Sequence, residues 1–168
     1  MTDVRLEVAA PDQRPVLENL FQLYTHDFSE QWSGRQDGEL GADGRFAQYV
    51  WLDSYWSDAE RTPYLICAGG HLAGFALINR FSHSGLPLDH AVAEFFVVRK
   101  HRRAGVGLAA ATTIIRARPG LWEMAVARRN TGALPFWRRV AAAVAGSSVE
   151  EIDRDNELWD GALVRFRA

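Results

Sequence analysis

The chain has 168 residues, 48% apolar and 24% charged, with a formal charge of −2. That length suits one domain, here taken as residues 1–168, and the apolar share fills a core without metal or disulfide staples. The balance sets aside global disorder and argues against a dedicated nucleic-acid binder, which carries a basic excess. The one cysteine, Cys67, has no partner for an internal disulfide and lies in Pro63–Ala68, a stretch that reads as a buried strand. No apolar run follows a basic start, and none approaches the ~18 residues of a membrane span, so a soluble, cytoplasmic protein is expected.

Val4 to Val8 alternates as a short strand. From about Asp12 the pattern turns helical, with Leu17, Leu20, Phe21, Tyr24 and Phe28 on one face and Pro15 in the first turn. Residues 33–44 hold four glycines among charges and read as a loop. The next stretch (Phe46, Tyr49, Trp51, Tyr55, Trp56) is aromatic, with a period neither of 2 nor of 3.6. Tyr64–Ala68 and Leu72–Ile78 are joined at Gly69-Gly70, a β-hairpin signal. After a loop at Ser82–Asp89, Val92–Val98 reads as an apolar strand interrupted by Glu94. Val106–Arg116 is a helix closed by Pro119-Gly120, and Trp122–Ala127 is a strand. Ala133 to Val144 carries a helical stripe. Strands near Ser148–Ile152 and Ala162–Phe166 end the chain. The expected fold is α/β: a central, mostly antiparallel twisted sheet of six or seven strands with about four flanking helices.

The chemistry concentrates between Glu94 and Gly107. A strand enters a basic turn (Arg99, Lys100, Arg102, Arg103), and a helix opens at glycines 105 and 107. Free N–H groups and the positive end of the helix dipole favour an anion there, so the ligand reads as phosphorylated. The other reading is a glycine turn with a solvated basic face. A P-loop fails because Leu108 follows Gly107. The run Gly105-x-Gly107-x-x-Ala110 formally matches the dinucleotide fingerprint, but six residues separate it from Val98. The next strand also ends in Arg128 rather than an acid, which leaves NADP as a weak alternative.

Arg102-x-x-Gly105-x-Gly107 resembles the R/Q-x-x-G-x-G/A signature of the GNAT (Gcn5-related) N-acetyltransferase superfamily. One strand later, Asn130-x-x-Ala133-x-x-Phe136-Trp137 is similar to that superfamily's N-x-x-A-x-x-F-Y block. The two blocks occur in order, and the resemblance extends over nearly the whole chain. It implies acetyl-CoA as co-substrate, no metal, and acetyl transfer by direct amine attack. Backbone amides of Arg103, Ala104, Gly105, Val106, Gly107 and Leu108 are then expected on the pyrophosphate, next to Arg102. The strand edge at Val97, Val98 and Arg99 is expected to pair with the pantetheine amides, with Val97 N–H on the thioester carbonyl. Asn130, Phe136 and Trp137 are expected to flank the arm.

Glu94, eight positions before the motif arginine, is costly to bury unpaired and is expected to face a cleft as general base. Its alternative is an ion pair with a nearby arginine. Trp137 replaces the tyrosine that protonates the leaving thiolate in many relatives, and an indole N–H has no proton to give. This keeps open a non-catalytic acyl-CoA-sensing domain. The resemblance also implies that the first helix, the loop after it and the last hairpin wall the acceptor site, where the sequence offers Tyr24, His26, Asp27, Glu30, Trp32, Trp51, Tyr55 and Trp56. Acidic and aromatic groups together suit a cationic small amine or a peptide amino terminus. The expected partner is that small-molecule or peptide acceptor, with no nucleic acid and no membrane, in a monomer or homodimer.

Overall fold

Glycine turns and alternating apolar strands set the frame. A computed structural model describes residues 3–32 and 38–168, Trp32 by its backbone only. Residues 33–37 of the loop expected at 33–44, Asp37 among them, lie outside the described residues, like the side chain of Trp32. Among the described residues seven strands form one sheet, in the order β1-β2-β3-β4-β5-β7-β6. They are β1 (Val4–Val8), β2 (Thr62–Ala68), β3 (His71–Asn79), β4 (His90–Val97), β5 (Leu121–Ala127), β6 (Val149–Asp155) and β7 (Asp160–Arg167). The helices are α1 (Arg14–Ser29), α2 (Ser54–Ser57), α3 (Val106–Arg116) and α4 (Ala133–Ala145). Among the described residues no helix is long and apolar enough to cross a membrane.

Strand alternation sends side chains to two cores. Leu65, Phe75, Leu77 and Phe96 face Leu17, Leu20 and Phe21 of α1. Ile66, Ala76, Ile78 and Val97 face Ile114 and Ile115 of α3 and Val140 of α4. The β2–β3 turn uses both glycines at positive φ, 57° and 79°, as a tight hairpin requires. Helix α1 begins slightly later than expected, because a 3-10 turn at Pro11–Gln13 precedes it. Cys67 is half-buried at a register shift of β2 rather than fully buried, and burial with Glu7 nearby pushes its thiol up.

The aromatic stretch without a period forms little regular structure beyond α2. Tyr49, Phe46 and Trp56 instead reach partners on other elements. Tyr49 stacks on Phe21 at 4.7 Å, and the Gln22 amide both donates to and accepts from the Phe46 backbone. Trp56 donates to the Ala9 carbonyl at 2.8 Å.

Three features shape the functional end of the sheet. At the β3–β4 ladder, Leu77 opposes Glu94 while Ile78 opposes Val92, so Ala93 bulges out immediately before Glu94. The parallel pair β4–β5 is joined only from His90–Trp122 to Val92–Met124, and beyond that point the strands part. Gly74 lets β3 pass the bulged strand: a Cβ there would lie 1.9 Å from the Phe96 carbonyl oxygen.

A buried ion pair fixes the loop beside this split. Glu123 and Arg165 are 1% and 4% exposed and bonded to each other. The N–H groups of His83 and Ser84 donate to Glu123 Oε1 at 2.7 and 3.2 Å, and Arg165 donates to the Pro87 carbonyl at 2.7 Å. A buried pair needs such added bonds to offset its desolvation. Here they tie the β3–β4 loop to β5 and β7.

Candidate active site

Where β4 and β5 part, the backbone of β4 has an open edge. Val98 N–H donates to the Ala73 carbonyl at 2.8 Å. Alternation along an antiparallel ladder then turns the N–H of Val97 away from β3, toward the split. A cavity of about 600 Å³ occupies the split, with Glu94, Phe95 and Ala125–Ala127 on its walls. A second cavity, about 640 Å³, opens toward the 38–50 segment. Glu94, Tyr24, Tyr49 and Trp159 line both.

Glu94 shares its sheet face with Phe96, and that face meets α1. The Tyr24 hydroxyl donates to Glu94 Oε2. Burial pushes the Glu94 carboxyl from its ordinary 4.5 to about 7, held back by hydrogen bonds from Tyr24 and Tyr49. Burial and the same carboxylate drive both phenols well up, so they remain protonated donors. No arginine pairs with Glu94 among the described residues. A carboxyl that titrates near neutrality at the junction of two cavities has the position and the proton affinity of a general base.

The glycine turn follows β4. Gly105 caps α3 at φ 79°, and Arg103 also lies in the left-handed region, at φ 62°. Val106 is buried, which anchors the helix start, while Ala104, Gly105 and Leu108 are exposed. The N–H groups of the first turn of α3 have no carbonyl within the helix to bond, a ready site for an anion. At Gly107 an added Cβ would lie 3.3 Å from the Phe136 ring, so its absence lets α3 and α4 approach.

The basic cluster divides. Arg102 donates to the Val97 carbonyl at 2.6 Å, lies over the Phe96 ring and pairs with Asp27. Arg99 pairs with the same carboxylate at 2.9 Å. Burial lifts the Asp27 carboxyl, but the hydrogen bonds from Arg102 and Arg99 outweigh it and hold the group below its ordinary value. Asp27 is therefore a brace between α1 and the turn, outside both cavities, and Lys100 and Arg103 are the exposed cations beside α3.

On the far wall, Asn130, Phe136 and Trp137 all line the first cavity. Trp137 is 7% exposed and packs edge-on against Phe95 and Phe136 at 5.4 and 4.9 Å. Of the acceptor candidates, Tyr24 and Trp51 line the cavity and Tyr55 does not. Tyr55 is buried beneath Arg61, and burial lifts its phenol to about 12. His26 and Glu30 are exposed and line neither cavity. Sequence reasoning missed Arg61, Phe81, His83 and Trp159, all on the first cavity's wall. They lie on connections or strand edges, where no periodicity marks them.

A family model, the Acetyltransferase (GNAT) family, matches residues 17–142. No curated protein matches the chain by sequence. Solved structures similar to it include an acetyltransferase from Thermus thermophilus, at 13% identity and TM-score 0.66, covering 98% of this chain and 96% of that one. The spermidine N-acetyltransferase of Vibrio cholerae, solved with CoA and spermine, is similar at 9% identity and TM-score 0.60, covering 98% and 95%. The ribosomal-protein-S18-alanine N-acetyltransferase of Escherichia coli is similar at 11% identity and TM-score 0.57, covering 98% and 94%. At these identities the structural likeness speaks for the fold.

Proposed function

The chain belongs to the Acetyltransferase (GNAT) family, and from that premise we propose that it transfers an acetyl group from acetyl-CoA to a primary amine. The observation that carries this reading is Glu94, a carboxyl titrating at about 7 where two cavities meet beside the parted strands. The residues present fit coenzyme A. The split between β4 and β5 accepts an extended arm, Asn130 and Phe136 flank it, and the α3 N-terminus with Lys100 and Arg103 meets the pyrophosphate. When bound, acetyl-CoA supplies an activated thioester carbon.

Glu94 takes one proton from the incoming ammonium, leaving a neutral nitrogen able to attack. Val97 N–H receives the charge that grows on the carbonyl oxygen. Nitrogen–carbon bond formation and carbon–sulfur cleavage release the thiol, whose proton is the second one shed by the nitrogen. That balance asks no acid of Trp137, which has none to offer. The acceptor is a small amine or a peptide amino group, and its charge relay ends at Glu94.

Thiol release from acetyl-CoA in the presence of primary amines tests the reading, with the acetylated amine identified by mass. Wild-type turnover that falls by about 10²–10⁴ in Glu94→Gln supports it. A folded protein that binds acetyl-CoA yet releases no thiol with any amine contradicts it. That outcome would favour a sensing domain, the second reading, for which Trp137 is the supporting observation.

A further inference from the structure

The acceptor half of the first cavity is walled by rings from three separate segments. Tyr49 and Trp51 stand on one side. Phe81, His83 and Trp159 form a chain on the other, with centroids 4.9 and 4.5 Å apart and near-perpendicular planes. Trp51 and Phe81 are 57% and 59% exposed, far more than core aromatics tolerate, so their open faces await a partner. Both are held in place: Arg61 lies over the Trp51 ring at 6.0 Å, and the Phe81 N–H donates to Asn79 at 3.1 Å. The Trp159 ring lines the cavity, and its buried Nε1 has no hydrogen-bond partner among the described residues.

Charge in the cavity points the same way. Apart from His83, the titratable charged groups on its described wall are Glu94 and Arg61. Arg61 is paired with Asp58 at 3.1 Å and remains a cation facing the cavity. Burial keeps His83 toward its neutral form against the pull of Glu123. Asp27, a natural partner for a second ammonium, is occupied by Arg99 and Arg102. In this first cavity a polycation would therefore meet one carboxyl at the base position and an arginine beyond it, while Glu39 and Asp160 line only the second cavity.

We propose that the acceptor is an arylalkylamine, a single primary amine carried on a flat aromatic body, with the amine at Glu94 and the ring between Trp51 and the Phe81–His83–Trp159 chain. This deepens the acetyl-transfer reading and rests on it. Aromatic faces hold such a body by edge-to-face and stacked contacts.

The test compares steady-state acetylation of phenylethylamine and tryptamine with that of putrescine and spermidine, in wild type, Trp51→Ala and Trp51→Phe, with acetyl-CoA binding measured separately. Expected are KM values roughly tenfold or more lower for the aromatic amines. Trp51→Ala should raise KM for those amines alone with kcat little changed, and Trp51→Phe should restore it. Equal or better use of spermidine overturns the proposal and leaves acetyl transfer standing, as does an unchanged aromatic KM in Trp51→Ala. Acetyl-CoA binding without transfer to any of the four amines overturns the proposal, and only the same silence with peptide amino groups overturns acetyl transfer itself. Trp51 is exposed, and melting curves of the variants confirm that folding is not what changed.

Discussion

At the residue scale the account turns on Glu94 and its phenol partners. The carboxyl must be ionised to act, so kcat/KM should fall on the acid side with a midpoint near 7, and Glu94→Gln should lose that limb together with most of the rate. Tyr24 donates to the ionised form and holds the midpoint down. Tyr24→Phe should therefore move the limb to higher pH while leaving the alkaline plateau close to wild type. The same group makes a stability prediction. Its folded-state value lies above the ordinary 4.5, so the contribution is full below 4.5 and is lost as pH rises through about 7. Ionised and buried, Glu94 costs on the order of 3 kcal/mol at alkaline pH. Glu94→Gln, unable to ionise, should raise the melting temperature at pH 8 and match wild type near pH 4; the reverse pattern would contradict the buried, perturbed carboxyl.

At the element scale, two glycines separate clash from strain. A Cβ at Gly74 meets the Phe96 carbonyl at 1.9 Å, so Gly74→Ala has to displace β3 from the bulged strand and should cost about 2–5 kcal/mol in urea unfolding. Gly105 has open space around it but φ 79°, so Gly105→Ala should cost only about 1–2 kcal/mol, the penalty of the left-handed conformation. Legibility in the sequence follows the same division. Helix α3 is read to both ends, Val106 to Arg116, because a glycine cap and a following Pro-Gly bound an apolar period. The strand that bears Glu94 is legible too, expected at Val92–Val98 and found at His90–Val97. What sequence cannot carry is contact between distant segments. The Tyr24–Glu94 bond spans 70 positions, the Asp27–Arg102 pair spans 75, and Phe81, His83 and Trp159 come together from two connections. Asp27 reads as available to a substrate for this reason: nothing local announces the two arginines that occupy it. The aromatic run from Phe46 to Trp56 has no single period because Phe46 and Tyr49 answer to α1 and Trp56 to the end of β1.

At the scale of the whole molecule, a seven-stranded sheet among the described residues stays continuous except where β4 and β5 part, and that gap is the proposed site. The Glu123–Arg165 pair keeps the β3–β4 loop against the far half of the sheet, so stability and acceptor geometry are coupled. Arg165→Met leaves Glu123 buried without its cation and should cost about 3–5 kcal/mol, with a rise in amine KM and little change in acetyl-CoA affinity. Pairing it with Glu123→Gln should recover part of the stability, because no buried charge is then left alone. The most direct test of the central claim is calorimetric titration of the purified protein with acetyl-CoA at pH 7.5. The parted strands and the free helix terminus predict one site of micromolar affinity. A folded protein that shows no heat and no shift in melting temperature on addition of acetyl-CoA would contradict the account.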